Sequence, residues 1–149
     1  MSPSRYHTQP LASEGRALYA AFDKCLTLLQ AHGGGEMAVA LPTKAKLAGV
    51  VSEVLGADAM RALDRDNTHM RKGLVMHLLT EKVRRRRMQG PVIAVFLDPM
   101  VLDRVVAAAG ITAVIFVPEQ ANDLVAYLAR YPESAVIGVS AGQGTKPTE

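Results

Sequence analysis

At 149 residues, with 49% apolar and 21% charged residues, the chain has the length and balance of one globular domain rather than of a disordered segment. Aromatic residues are scarce, with three Phe, four Tyr and no Trp, so the core must be aliphatic and base-stacking platforms are disfavoured. A single cysteine, Cys25, excludes an internal disulfide and a cysteine-rich zinc site.

The first twelve residues are polar, hold Pro3 and Pro10, and read as a flexible arm. They contain no apolar stretch of signal-peptide type before Leu11, and no later run is long enough to span a bilayer, so a soluble cytoplasmic protein without membrane contact is expected. A helix should follow from about Ser13, its cap, to about His32. Leu18, Phe22, Cys25, Leu26 and Leu29 recur at spacings of three and four, and Gly33-Gly34-Gly35 stops the pattern.

Met37–Leu41 reads as a short strand despite its two alanines. Thr43 can cap a helix carrying Leu47, Val50, Val51, Val54 and Leu55, ended by Gly56. Asp58 can cap a short helix through Leu63. From Asn67 or Thr68 to about Met88 the pattern of Met70, Leu74, Val75, Leu78, Leu79 and Val83 fits one broad helical arc, which would be the longest helix of the chain.

Beyond Gly90 come three apolar runs, Pro91–Leu97, Ile111–Val117 and Ala135–Val139, separated by two helix-like segments. Continuous apolar runs mark strands buried on both faces, and helices between them make the strands parallel. Asp98-Pro99 has the form of an N-cap followed by proline at the first helical position, and Gly110 would end that helix. Pro118-Glu119 opens the next, which Pro132 helps to end. The expected fold is α/β: a small three-layer, Rossmann-like domain with a mainly parallel sheet of three or four strands and a helical N-terminal half. Residues 13–140 would form one domain, helical over 13–90 and β-α-β-α-β over 91–139, with 141–149 a flexible tail. The pattern is generic to three-layer α/β domains and points to no single family.

In such sheets ligands bind at the C-terminal ends of the strands, which here offer Lys44, Asp98, Glu119 and the Ser140–Gly144 turn. Asp98 is the sharpest of three weak catalytic candidates, with Glu119 and Lys44 beside it. A haloacid-dehalogenase-type aspartate would want a second Asp where Met100 stands, and no acidic pair of receiver type follows Met37–Leu41. No glycine loop follows a strand in the manner of a P-loop or Rossmann fingerprint, so no cofactor is indicated. His69 and His77, His77 and Glu81, or Asp64, Asp66 and His69 supply too few ligands at helical spacing for a metal site, and no serine lies in a nucleophile elbow.

The net charge of +3 is unevenly distributed. Eight cations against two acids lie between Arg65 and Met88, and four consecutive arginines, Arg84–Arg87, stand near the end of the expected long helix. Arginine's planar fork suits phosphate, so Arg71, Lys72, Lys82, Arg84, Arg85, Arg86 and Arg87 are the candidate residues for binding nucleic acid or another polyanion. The leading expectation is a non-enzymatic binding or regulatory module acting through this basic helix end or through a homo-oligomer interface. A nucleic-acid-associated protein is the first alternative, and a small phosphate- or nucleotide-processing enzyme centred on Asp98 the second.

Overall fold

A computed structural model describes residues 3–9 and 14–138. Among these residues there are seven strands and five helices: β1 (Ser4–His7), α1 (Glu14–His32), β2 (Glu36–Ala40), α2 (Val50–Leu55), α3 (Ala57–Asp66), β3 (Thr68–Arg71), β4 (Leu74–Leu79), β5 (Arg87–Val95), α4 (Pro99–Val105), β6 (Ala109–Val117), α5 (Ala121–Arg130) and β7 (Ala135–Val136). A 3₁₀ turn, Lys44–Leu47, precedes α2. The strands form one sheet in the order β3-β4-β2-β5-β6-β1-β7, parallel throughout except for the β3–β4 hairpin at one edge.

The alternation of strand residues divides the core in two. Met37, Val39, Ile93, Val95, Ile115 and Val117 point toward α1, α2 and α3, where they meet Leu18, Phe22, Cys25, Val51 and Leu63. Their neighbours Ala38, Val92, Ala94, Val114 and Phe116 point the other way, against Leu102 and Val105 of α4 and Leu124 and Tyr127 of α5. Both faces being covered, the stretches Met37–Ala40, Val92–Val95 and Ala113–Val117 are apolar at every position, which is why they appear as runs. The α/β class therefore holds, but the sheet has seven strands rather than three or four, and four of them precede residue 90.

Four expectations are corrected. The N-terminal arm is not loose over residues 4–7, because Ser4–His7 pairs with β6 and β7 as an inner strand. Its polar sequence hides this: His7 is buried because its Nδ1 meets the Ser134 hydroxyl at 2.8 Å, and Tyr6 packs on the α1 face. The helix expected after Thr43 is split at Gly49, whose φ of 81° breaks the helical path, and Thr43 makes no side-chain cap. The run Ala135–Val139 gives only a two-residue exposed edge strand among the described residues. The 140–144 turn and the 141–149 tail lie outside them.

The largest correction concerns residues 67–88, which hold no helix. Asn67 ends α3 in the left-handed conformation, and a two-residue turn, Lys72-Gly73, folds the following residues into the β3–β4 hairpin. Both turn residues have positive φ (50° and 83°), the combination that matches strand twist in a tight hairpin. The chain then passes from β4 to β5, across β2, in the seven residues 80–86. Parallel crossovers ordinarily take a dozen residues or more with a helix. Helical residues advance about 1.5 Å each and extended ones about 3.3 Å, so a link this short is left irregular.

The start of β5 is pressed between its neighbours. A Cβ on Gly90 would lie 1.8 Å from the Glu36 carbonyl oxygen, and one on Gly110 would lie 2.1 Å from that of Met88. Neither glycine is a helix stop; each permits a close approach of backbones. Replacing Gly90 with Ala is expected to destabilise the fold by at least about 2 kcal/mol, because the obstruction is backbone rather than a movable side chain. Urea unfolding of G90A and of the exposed control Gly138→Ala checks this: G90A alone should show a lowered midpoint.

Candidate basic groove

The arginine run lies on the helix-free crossover and the first residue of β5. Arg84, Arg85, Arg86 and Arg87, with Met88, Gln89 and Glu36, line a cavity of about 640 Å³. All four arginines are exposed. Arg84 Nε donates to the Glu81 carbonyl at 3.0 Å, whereas Arg85, Arg86 and Arg87 form no ion pair among the described residues.

Glu36, at the start of β2, fixes the wall of this groove. One carboxylate oxygen accepts the Gln89 amide at 2.5 Å and the other accepts from His77 Nε2 at 2.7 Å. The carboxylate thus ties β5 to β4 across the first residue of β2. Burial pushes the Glu36 carboxyl up, but the Gln89 amide, His77 and Arg85 outweigh it and hold the group below its usual range. His77 is buried, and its Nδ1 has no partner among the described residues.

Of the other predicted cations, Lys72 sits in the β3–β4 turn, at the edge where β2 and β4 begin, with Arg71 just before it. Two strand spacings separate β4 from β5, about 10 Å. Arg71 lines a second cavity, about 450 Å³, with His69 and Asp58. Lys82 is set apart from the arginines: it lines a cavity of about 490 Å³ with Pro42, Thr43, Lys44 and Thr80, beyond the C-terminal ends of β2 and β4.

The three catalytic candidates are engaged separately. Asp98 is exposed and caps α4, accepting the Met100 amide at 2.8 Å behind Pro99, as its sequence context implies. Lys44 Nζ donates to the Asp64 carbonyl at 2.7 Å, and Glu119 faces Lys46 at 3.7 Å. The carboxylate of Glu81 pairs with Arg104, not with a histidine. Among the described residues no group of three His, Cys, Asp or Glu side chains is placed to hold a metal ion, and no helix is long and apolar enough to cross a membrane.

The His7–Ser134 contact has the look of a base beside a nucleophile, but it continues to the Tyr127 hydroxyl at 2.9 Å, which lies 3.3 Å from the Tyr6 carbonyl. This chain of hydrogen bonds satisfies buried polar groups, as interiors require. Burial lowers the His7 pKa, keeping the ring neutral. Among the described residues the exposed large apolar side chains, Tyr19, Leu26, Met70, Met100, Val125 and Val136, are spread over five elements.

No family model matches the chain, and neither a curated protein nor a solved structure matches it.

Glu36 supplies a pH test. Its folded pKa is depressed, so its stabilisation is complete above the unfolded value near 4.5 and is lost as pH falls through the lower folded value. At pH 7, Glu36→Gln should cost about 1–2 kcal/mol through weakened hydrogen bonds to a charged acceptor. The stability difference from wild type, measured by denaturant unfolding, should be flat above pH 5 and shrink below pH 4.

Proposed function

We propose that this protein is a non-enzymatic binding module that holds the phosphate backbone of nucleic acid in the groove walled by Arg84–Arg87. The observation that carries this reading is the concentration of four exposed guanidinium groups along one cavity. Arg85–Arg87 have no ion-pair partner among the described residues, and a carboxylate anchors the segment that bears them. Charge that served only the stability of the fold would be expected to pair, or to complement a helix end. Here no helix ends at the run.

The reading is for backbone contact rather than base recognition. The groove lining contains no aromatic side chain on which a base could stack, and no helix at the site could enter a major groove. Lys72, in the β3–β4 turn at the same edge of the sheet, adds a further cation to this end of the molecule. Binding of this kind is tolerant of sequence and steeply salt-dependent.

The test is fluorescence anisotropy with labelled single- and double-stranded DNA and RNA of mixed sequence, over a range of salt concentrations. Wild type should bind at low salt, with log K falling linearly against log salt. Converting Arg84–Arg87 to Ala should weaken binding at least tenfold and flatten that slope, while circular dichroism and unfolding remain close to wild type. Absence of binding by wild type at low salt, or equal binding by the quadruple variant, would overturn the reading.

A further inference from the structure

A further cavity lies between the N-terminal ends of β1 and β6 and the C-terminal ends of α4 and α5. Its volume is about 370 Å³, room for roughly a dozen waters at their liquid volume. Val106, Ala108, Ile111 and Val114 give it an apolar wall, and Arg5, Asp103 and Tyr131 give it a polar one.

Arg5 is the unexplained group. β1 alternates, placing Tyr6 on the α1 face and Arg5 with His7 on the α5 face, where the Arg5 guanidinium stacks 3.7 Å above the centre of the Tyr131 ring. Stacking fixes the plane of the guanidinium but satisfies none of its N–H groups. Among the described residues its Nη1 is buried with no hydrogen-bond partner, and Arg5 forms no ion pair. The nearby carboxylate of Asp103 is turned to other partners, accepting from Arg130 through one oxygen and from the Tyr131 hydroxyl through the other. A buried, unpartnered guanidinium N–H is costly, and such a group points to a missing acceptor.

We infer that this cavity binds a small organic carboxylate, its charged end on Arg5 and its carbon skeleton against Val106, Ile111 and Val114. A planar carboxylate matches the fork of a guanidinium. The apolar wall selects for a hydrocarbon body, and the volume suits a ligand near the lower end of known small-molecule sites. The site shares no side chain with the arginine groove, so it does not depend on the nucleic-acid reading.

The experiment is isothermal titration of the full chain with sodium acetate, butanoate, hexanoate and benzoate, and with hexanol and hexyl phosphate as controls. Affinity should rise at least tenfold from acetate to hexanoate, and hexanol should bind at least tenfold more weakly than hexanoate. Arg5→Met should reduce hexanoate affinity at least tenfold. Arg5→Lys, which keeps the charge but loses the fork, should also bind more weakly than wild type. Thermal unfolding of both variants, with a folded baseline as the criterion, separates lost binding from lost structure. Should Arg5→Met fail to fold, Val114→Phe, which fills the cavity and leaves Arg5 in place, should abolish hexanoate binding. The Arg84–Arg87 quadruple alanine variant should bind hexanoate as wild type does. Equal affinity for hexanoate and hexanol, tighter binding of hexyl phosphate than hexanoate, or loss of binding in the quadruple variant would overturn the inference.

Discussion

The fold turns on a shortage of chain. Seven residues must carry the backbone from the end of β4, past β2, to the start of β5, where most parallel sheets spend a helix. Without a helix, the backbone polar groups of this link find their partners piecemeal. The Thr80 amide donates to the Val83 carbonyl, and the amides of Lys82 and Val83 donate to the Thr80 hydroxyl. The close fit of Gly90 against Glu36 and the carboxylate clamp on Gln89 lie at the far end of the same link.

That constraint also places the charge. Residues that would have pointed in four directions around a helix instead follow one another along an irregular strand entrance, where they border a single cavity. Proximity of like charges raises the free energy of the empty protein, and an anionic partner would lower it. Among the described residues Glu36 is the only acid lining this cavity, and its two oxygens accept from Gln89 and His77. The electrostatic character of the groove therefore belongs to the backbone route as much as to the composition.

The sequence was most legible where burial is symmetric. Pro91–Val95 and Ala113–Val117 are covered on both sides, so their apolar runs announce strands directly, and Asp98-Pro99 announces the cap between them. It was least legible in two places. Ser4–His7 is held in the sheet by backbone pairing and by polar contacts with distant Ser134 and Tyr127, none of which leaves a local pattern. Residues 68–79 carry apolar side chains at spacings that suit either a helix or a hairpin. The distinguishing signal was Lys72-Gly73, since a glycine inside a helix costs about 1 kcal/mol but a tight turn needs it. The arginines were found by composition, but their shared cavity depended on the hairpin. The Arg5 cavity depended on β1, and so had no signal of its own.

Cys25 offers a different kind of return. Its side chain is fully enclosed between α1 and β2, with Sγ 3.8 Å from the Met37 sulfur, and burial pushes its pKa up to about 12. A thiol so held presents almost no thiolate to an electrophile while the core is closed. As the chain's sole cysteine it is a built-in clock: the rate of its alkylation reports how often α1 lifts from the sheet, without any introduced label.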